Sequence, residues 1–236
     1  MQMQALIFDC DGVLVDTERD GHRVAFNRAF AALGLDREWS VDRYGALLHT
    51  AGGKERMRRD FGETGWPVVE PDRDALIQNL HLRKTDLFMD LIETGGLPLR
   101  PGVARMVDAA IAAGLPVAVC STSNERAVQA VIDRMLGSAR ARHITLFAGD
   151  VVAAKKPDPA IYLLAAQTLS LTPARCVVIE DSNIGLRAAK AAGMRCIVTR
   201  SSYTAAEDFR LADRVVDDLD QGITLDLCRA LVAGQP

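Results

Sequence analysis

Short apolar runs alternate with longer amphipathic segments along most of this chain, and that alternation constrains the fold more than any other feature of the sequence. The runs have the length of strands, whereas the segments between them have helical periodicity and begin or end at Gly, Asn, Asp or Ser. This pattern is typical of β-α-β units, so it predicts an α/β fold with a Rossmann-like parallel sheet. We predict strands at residues 5–8, 117–121, 144–147, 176–180, 196–199 and 214–216.

One long segment interrupts the alternation. Residues 17–96, which lie between the first two predicted strands, contain no strand-like run. Gly and Trp-Pro breaks separate their three stretches of helical periodicity, which are "HRVAFNRAFAAL", "GKERMRRDF" and "DALIQNLHLRKTDLFMDLIETG". We therefore expect residues 1–16 and 97–236 to form a Rossmann-like core, with residues 17–96 inserted after the first strand as a helical cap domain.

The bulk composition excludes several kinds of partner. A formal net charge of −3 argues against nucleic acid, because binding to a phosphate backbone requires clustered Lys and Arg. The five cysteines form no C-x-x-C pair, so we expect reduced thiols. No run is long enough for a membrane helix, and no charged and apolar leader precedes Ala5. We expect a soluble monomer without a membrane partner, in the cytoplasm, or in the plastid stroma if a transit peptide has been removed.

Polar side chains follow four of the predicted strands, at the point where each strand ends. In chain order these residues are Asp9 and Asp11, then Ser121, Ser123 and Asn124, then Lys155 and Lys156, and finally Glu180, Asp181 and Ser182. Since the carboxyl ends of parallel strands meet at one edge of a sheet, we expect these side chains to converge there. Taken alone, each has a structural explanation, such as a helix cap for Ser123 or Asn124 and an exposed loop charge for Lys156. Their common position at strand ends favours a functional site.

The expected cluster of carboxylates requires a cation. Asp9, Asp11, Glu180 and Asp181 would bring up to four negative charges into one crevice. Each pair of charges at about 4 Å would cost about 4 kcal/mol at an effective dielectric constant near 20. Oxygen ligands suit a hard ion that keeps some of its waters and shares a substrate phosphate, so the sequence predicts Mg²⁺.

Four motifs in the chain resemble those of the haloacid dehalogenase superfamily of phosphohydrolases. They are "DCDG" at residues 9–12, Ser121, Lys156 in "KKPDP", and "EDS" at residues 180–182. The helical segment after the first strand is similar to the cap domain of that superfamily. Because the motifs follow one another in order at strand ends, the resemblance covers almost the whole chain.

The resemblance implies a role for each of these residues. Asp9 would be the nucleophile, Asp11 the general acid and base, and Ser121 and Lys156 would bind the phosphate. The ligands of Mg²⁺ would be Asp9, the main-chain carbonyl of Asp11, and Asp181, with Glu180 in support.

These residue types suit phosphoryl transfer independently of the resemblance. A carboxylate can attack phosphorus and form an aspartyl-phosphate, which divides hydrolysis into two steps. A lysine and Mg²⁺ would neutralise the equatorial oxygens of the transferred group. A second carboxylate would protonate the leaving oxygen and later deprotonate the attacking water.

A closer resemblance concerns the stretches "GGKERM", "LPLRPGV" and "KKPDPAIY". They are similar to the CbbY-type branch of the superfamily, whose members remove xylulose 1,5-bisphosphate, a sugar bisphosphate that inhibits Rubisco; beta-phosphoglucomutase is a neighbouring branch. The segment between Asp16 and His22 is one residue longer than in other members. The candidate substrate ligands are Glu18, His22, Lys54 and Arg56, to which we add Ser123 and Asn124 after the second strand.

The stretch "GGKER" also has chemistry of its own that suits a second phosphate. Gly52 and Gly53 would offer main-chain N–H groups at a helix start, and Lys54 and Arg56 would add two cations. An exposed helix face is the alternative interpretation of the same residues. Arg100, which precedes a Pro-Gly pair, is expected to be a structural anchor.

Three functions fit these features. The first is a Mg²⁺-dependent sugar-bisphosphate phosphatase, and the second is a phosphosugar mutase on the same scaffold, which differs in whether water or a sugar phosphate meets the phosphoenzyme. The third is a phospho-acceptor signalling domain, whose sheet also gathers acids, a hydroxyl and a lysine. A receiver domain of that kind is shorter, lacks a cap and carries its phosphorylated Asp on a later strand, so the order of the motifs favours the first two.

Overall fold

Six parallel strands form a single sheet. They are β1 (Ala5–Phe8), β2 (Val117–Cys120), β3 (Ile144–Phe147), β4 (Cys176–Glu180), β5 (Arg195–Thr199) and β6 (Arg214–Val216). The computed structural model describes residues 2–50, 53–69 and 71–234, and its strands lie in the order β3-β2-β1-β4-β5-β6. The predicted α/β fold is confirmed. Two predicted bounds were wrong by one residue, because β2 ends before Ser121 and β5 begins at Arg195 rather than Cys196.

Ten α-helices accompany the sheet in the described part of the chain. They are α1 (Arg23–Ala32), α2 (Val41–Leu47), α3 (Gly53–Thr64), α4 (Arg73–Glu93), α5 (Val103–Ala112), α6 (Glu125–Val131), α7 (Ser138–Ala141), α8 (Ala160–Thr168), α9 (Asn183–Ala191) and α10 (Leu225–Ala233). Wide π-helical turns at Thr17–His22 and Ile132–Leu136 lead out of or into these helices, and Pro173–Arg175 forms a short 3₁₀ turn.

The central strands are apolar along their whole length because both of their faces are covered. Every residue of β1, β2 and β4 is buried, as expected for parallel strands between two layers of helix. Phe8 of β1 pairs with Val119 of β2 on one side and with Ile179 of β4 on the other. This register brings the ends of the three strands level, so the residues that follow them meet at one edge of the sheet.

The chain divides into two compact units. One unit consists of residues Met1–Asp16 and Leu97–Pro236 and contains the sheet, and the other consists of residues Thr17–Gly96 and is helical. We call them the sheet unit and the helical unit. No helix in the described residues is long and apolar enough to cross a membrane. All five cysteines are free and buried.

The helical unit has an aromatic core. The Trp39 ring lies 4.7 Å from that of Phe26 and 5.0 Å from that of Phe30, measured between centroids, and all three side chains are fully buried. Helix α2 of this unit was not predicted, because its seven residues are too few to show a helical period. Its start is fixed locally instead, since the Ser40 hydroxyl accepts a hydrogen bond from the N–H of Arg43 at 3.1 Å.

Asp213 joins three parts of the sheet unit. Its carboxylate accepts hydrogen bonds from the Lys190 ammonium at 2.7 Å, the main-chain N–H of Cys196 at 2.8 Å and the Arg195 guanidinium at 3.0 Å. Burial alone would raise the pKa of Asp213, but these donors outweigh it and hold that pKa below its usual range. The ionised form is therefore the one that stabilises the fold.

We predict that Asp213→Asn lowers the free energy of unfolding at pH 7 by about 1.5–3 kcal/mol, the typical contribution of hydrogen bonds to a charged group. Because the folded-state pKa is depressed, this stabilisation is present above the unfolded pKa of about 3.9 and is lost as the pH falls through the folded value. Urea unfolding from pH 7 down to pH 3 should therefore show the difference between variant and wild type shrinking with acid.

Asp226→Asn is the matched control, since the Asp226 side chain is 88% exposed and, among the described residues, forms an ion pair only with Arg229 of the same helix. It should change the free energy of unfolding by less than about 0.5 kcal/mol. A difference for Asp213→Asn that stayed constant or grew with acid would contradict the assignment of the stabilisation to the carboxylate.

Candidate active site

A lysine ammonium lies between two carboxylates at the edge of the sheet. Lys156 Nζ is 2.6 Å from Asp9 Oδ1 and 2.7 Å from Glu180 Oε1, and it also donates to the Cys120 carbonyl at 3.0 Å. Asp9 directly follows β1, Cys120 ends β2 and Glu180 ends β4. The one side chain thus connects the carboxyl ends of three neighbouring strands.

Glu180 is held on several sides. Its carboxylate also accepts a hydrogen bond from the buried hydroxyl of Tyr162, in α8, and the Lys156 ammonium lies 4.9 Å from the centroid of the Tyr162 ring. Gly185, in the first turn of α9, packs directly against the same carboxylate, because a Cβ added there would lie 2.0 Å from Glu180 Oε1. A side chain at position 185 is therefore incompatible with the observed position of Glu180.

Three buried carboxylates form a group that could hold a metal ion. One oxygen from each of Asp9, Glu180 and Asp181 lies within 4.8 Å of the others. Gly12 packs directly against one member of this group. The φ of Gly12 is +78°, and a Cβ added to Gly12 would lie 2.0 Å from Asp181 Oδ2. A glycine at this position both adopts the positive φ and allows the main chain to approach Asp181.

Burial and mutual repulsion set the charges of this group. Burial raises the pKa of Asp9 to about 7, against the opposing effect of Lys156, and Glu180 and Asp11 act in the same direction as burial. Burial, followed by Glu180 and Asp9, raises the pKa of Asp181 well above its usual range. Burial would lower the pKa of Lys156, but Asp9 and Glu180 raise it well above the usual value for lysine.

The donor set fits a hard divalent cation. A single ammonium, that of Lys156, is bonded to Asp9 and Glu180, so the three-carboxylate group keeps excess negative charge when its acids are ionised. A cation would relieve both this repulsion and the cost of burying the charges. Oxygen ligands from carboxylates suit Mg²⁺.

Asp11 is not a member of the three-carboxylate group, although its charge acts on Asp9. Its Oδ2 accepts a hydrogen bond from the Ser123 hydroxyl at 2.5 Å, and the Ser121 hydroxyl is 3.5 Å from the same oxygen. Ser121 Oγ in turn accepts from the N–H of Ser123 at 3.1 Å. Asn124 begins α6 as its N-cap, with Oδ1 accepting from the N–H of Ala127 at 3.4 Å. The structure thus brings Asp11, Ser121 and Ser123 together and gives Asn124 a structural task.

In the helical unit, Glu18 and Arg56 meet at a buried tyrosine. The Tyr44 hydroxyl donates to Glu18 Oε2 and accepts from Arg56 Nη1 at 3.1 Å. Arg56 Nη1 is 3.7 Å from Glu18 Oε2, and Arg56 Nε donates to the Thr50 carbonyl at 3.0 Å. Two of the predicted substrate ligands are therefore fixed in place by one another and by Tyr44.

His22 forms a second polar pair in the helical unit. Its Nδ1 lies 3.0 Å from the Lys84 ammonium; since an ammonium can only donate, Nδ1 accepts and carries no proton. Burial, with Lys84 and Arg56, lowers the pKa of His22 well below its usual value, so the imidazole is neutral near pH 7. Lys84 also lies 5.0 Å from the ring centroids of both Phe26 and Phe88.

Lys54 belongs to the same cationic region. Burial lowers the pKa of His81, and the charges of Lys84 and Lys54 lower it further, while a Cβ added at Gly53 would lie 3.5 Å from the His81 ring. Lys54 and Lys84 therefore both lie near His81. Gly52, which the sequence analysis paired with Gly53, lies outside the described residues.

The segment before His22 has an unusual helix type. Residues Thr17–His22 form a π-helical turn that continues into α1. A turn closed by i→i+5 hydrogen bonds holds one residue more than an α-helical turn. Such turns are found frequently at functional sites.

Three side chains of these clusters were missed by the sequence analysis. Tyr162 stands in "KKPDPAIY", so its spacing from Lys156 was a signal. Tyr44 and Lys84 stand in stretches without a motif, and nothing in the sequence marks them before the fold is known. Their partners, Glu18 and His22, are distant in the chain and become neighbours only through the packing of the helices.

Known proteins are similar to this chain over most of its length. A family model for haloacid dehalogenase-like hydrolases matches residues 3–193. A CBBY-like protein of Arabidopsis thaliana is 56% identical over 239 residues, which cover 98% of this chain and 75% of that protein. The chain belongs to the haloacid dehalogenase-like hydrolase family, whose members generally use Mg²⁺.

Solved structures agree with this assignment. CbbY from Rhodobacter sphaeroides in complex with phosphate is 42% identical, with a TM-score of 0.79 and coverage of 93% of this chain and 96% of that one. A variant of the same protein in complex with xylulose 1,5-bisphosphate has a TM-score of 0.78 at the same identity and coverage. The predicted family, fold class and class of enzyme, a phosphatase, are confirmed by these matches.

The close packing of Gly185 against Glu180 can be tested with a pair of glycine variants. Alanine in a helix is favoured over glycine by about 1 kcal/mol, so Gly185→Ala would stabilise α9 if space were free. We expect the clash to dominate and to lower the free energy of unfolding by about 1–3 kcal/mol, the usual cost of overpacking.

Gly62→Ala is the matched control, because Gly62 also lies inside a helix and a Cβ there would meet nothing within 4 Å. It should raise the free energy of unfolding by about 0.5–1 kcal/mol. Both variants are measured by urea unfolding followed by circular dichroism. A stabilised Gly185→Ala would show that the Glu180 carboxylate is free to move aside.

Proposed function

We propose that this protein is a Mg²⁺-dependent phosphatase that hydrolyses xylulose 1,5-bisphosphate to xylulose 5-phosphate and phosphate. The observation that carries the proposal is the Lys156 ammonium between Asp9 and Glu180, beside a third buried carboxylate, Asp181. Such a group can hold a cation and present one carboxylate to a phosphate. The complex of the Rhodobacter sphaeroides CbbY variant with xylulose 1,5-bisphosphate supports the choice of sugar.

In this proposal Asp9 is the nucleophile. One carboxylate oxygen attacks phosphorus, the bond between phosphorus and the sugar oxygen breaks, and Asp11 gives that oxygen a proton. Water then attacks the aspartyl-phosphate, Asp11 takes a proton from it, and phosphate leaves with Asp9 restored. Lys156 orients Asp9 before the attack and, with the Ser121 hydroxyl, would bind the oxygens of the transferred group.

The metal in this scheme would be held by Asp9, Asp181 and the main-chain carbonyl of Asp11, with Glu180 in support. When bound, Mg²⁺ supplies a Lewis acid that offsets negative charge on the transferred phosphate. Glu180 already accepts hydrogen bonds from Lys156 and Tyr162, so its supporting role is to orient Lys156. The close approach of Gly12 to Asp181 favours a ligand set that includes the main chain of this loop.

The helical unit is proposed to act as a cap domain that recognises the distal phosphate. Lys54 and Lys84 both lie near His81, where their charges act against that of Glu55, and two ammonium groups suit a dianion. Arg56 and Glu18 are bonded to Tyr44 and would contact the sugar from fixed positions. The neutral His22 can donate through Nε2 while Lys84 occupies Nδ1.

The remaining assignments are also proposals. Ser123, which is bonded to Asp11, and Asn124 would contact substrate near the transferred phosphate. We propose a small-molecule phosphosugar as the partner and a monomer as the acting form. The compartment would be the cytoplasm or, if a transit peptide has been removed, the plastid stroma.

The chemistry is tested with Asp9→Asn and with chelation. EDTA should abolish the release of phosphate from xylulose 1,5-bisphosphate, and excess Mg²⁺ should restore it. Asp9→Asn should lose turnover by several orders of magnitude and prevent acid-stable labelling of the protein by substrate phosphate. Phosphate release and phosphoenzyme are measured on the same preparations.

Asp150→Asn is the control for this variant, because Asp150 is fully exposed and pairs with Lys155 in a loop; its turnover should equal that of the wild type. Full activity in chelator would remove the metal from the proposal, and turnover by Asp9→Asn would remove the nucleophile. Conversion of a sugar phosphate to its isomer without net release of phosphate would identify a mutase instead.

Recognition of the distal phosphate is tested with Lys54→Ala. Loss of a charge-assisted contact of about 1.5–3 kcal/mol should lower kcat/KM for the bisphosphate roughly ten- to a hundredfold. Hydrolysis of xylulose 5-phosphate, which has no second phosphate, should change little. The ratio of the two kcat/KM values is the quantity to measure.

Arg58→Ala serves as control, since Arg58 is an exposed cation of the same helix that pairs with Glu55 and Asp74. It should leave both substrates unaffected. An equal loss of kcat/KM on both substrates for Lys54→Ala, or no loss on either, would contradict this role. Lys54 would then be an ordinary residue of an exposed helix face, which is the alternative interpretation of the sequence.

A further inference from the structure

Arg100 connects three loops at the edge of the sheet. Its guanidinium donates to the Gly12 carbonyl after β1, to the Thr199 carbonyl at 3.1 Å and the Arg200 carbonyl at 2.6 Å after β5, and to the Asp217 carbonyl at 2.5 Å after β6. The main-chain N–H of the same residue donates to Leu14 at 2.8 Å. Both ends of the residue are therefore fixed to the loop that carries "DCDG".

The acceptors of Arg100 are oxygens of neutral groups. They are main-chain carbonyls together with the Thr199 hydroxyl at 3.2 Å. Burial lowers the pKa of Arg100, although Asp16 and Asp181 act against it. A planar guanidinium directs several N–H groups at once, so it can fix the carbonyls of separate loops in a way that an ammonium cannot.

Two of the segments that Arg100 holds lie next to Asp181. Gly12 packs directly against it, since a Cβ at Gly12 would be 2.0 Å from Asp181 Oδ2. Ser201, which follows the Arg200 carbonyl in the chain, is near enough to act on the pKa of Asp181, which it lowers against the larger effect of burial. Thr199 Oγ1, another Arg100 acceptor, is 3.4 Å from the Glu180 carbonyl just before Asp181. Within the described residues, Arg100 thus binds the surroundings of Asp181 and has no hydrogen bond to its carboxylate.

We propose that Arg100 is a positioning residue for the metal: by holding Gly12 and the Arg200–Ser201 peptide, it fixes the Asp181 carboxylate in the position that binds Mg²⁺. This inference rests on the proposed function, because it takes Asp181 as a metal ligand. It goes beyond a structural anchor, since it requires that loss of Arg100 weakens the affinity for Mg²⁺ more than it weakens the fold.

The test measures Mg²⁺ binding directly, by isothermal titration calorimetry of the full chain in the absence of substrate. Arg100→Lys keeps the positive charge but loses the planar guanidinium and its several N–H donors. It should raise the Kd for Mg²⁺ about tenfold, which is typical when a residue that orients a metal ligand from outside the coordination sphere is replaced. Activity is then followed as a function of Mg²⁺ concentration. The concentration for half-maximal rate should rise by the same factor, while kcat at saturating Mg²⁺ should stay close to that of the wild type.

Arg105→Lys is the matched control. Arg105 also holds the loop after β6, through the Leu219 carbonyl at 2.7 Å, the Ile223 carbonyl at 3.0 Å and Asp220, but in the described part of the chain it has no hydrogen bond to the loops beside Asp181. Its urea midpoint should fall, as that of Arg100→Lys should, and its Kd for Mg²⁺ should equal the wild-type value. Arg100→Gln, which retains two N–H donors, is the second variant if Arg100→Lys does not fold.

The outcomes are distinct. A wild-type protein that binds no Mg²⁺ would overturn the proposed function itself. Mg²⁺ binding by the wild type with an unchanged Kd in the Arg100 variant would overturn only the positioning role, and so would an equal rise in Kd for Arg105→Lys. A rise confined to the Arg100 variant, with kcat recovered at saturating Mg²⁺, would establish it.

Discussion

The structure of the candidate site depends on one interaction, the Lys156 ammonium between the Asp9 and Glu180 carboxylates. Each of these three groups would be costly to bury alone, because transfer of an isolated charge out of water is strongly unfavourable. Together they offset one another, and the phenol of Tyr162 and the main chain of Cys120 satisfy further hydrogen bonds. This arrangement allows charged side chains to be buried at the end of strands that are otherwise apolar.

The sheet makes that interaction possible through its register. Phe8 is level with both Val119 and Ile179, so the chain needs no irregular strand to bring Asp9 and Glu180 together. The register does not determine how closely the loops pack against the carboxylates. Two glycines allow that close packing. Gly12 and Gly185 lie against the Asp181 and Glu180 carboxylates at distances that exclude a Cβ, so the acidic pair is confined from two directions.

The sequence predicted the sheet well because each strand carries its own signal in an apolar run, and it predicted the residues at the strand ends because they follow those runs directly. The errors have physical causes. Helix α2 begins at a serine cap and has only seven residues, too few to show a helical period, and its Tyr44 packs into the aromatic core around Trp39. Lys84 lies in a helix that was predicted, yet its hydrogen bond to His22 joins residues 62 positions apart. A sequence shows which residue types are present, but which distant residue a side chain such as Lys84 bonds to depends on how the helices pack.

Two clusters of charged side chains, one in each unit, differ in sign. In the sheet unit, the three carboxylates of Asp9, Glu180 and Asp181 outnumber the one ammonium bonded to them, that of Lys156, which creates a demand for a cation. In the helical unit, Lys54 and Lys84 lie near His81, and their charge lowers its pKa together with burial, while the His22 ring stays neutral beside Lys84. A metal ion would offset the acids of the sheet unit, and a phosphate dianion would offset the lysines of the helical unit. Selectivity for a bisphosphate would then follow from charge in the helical unit, and the chemistry of the sheet unit would not need to distinguish one phosphate ester from another.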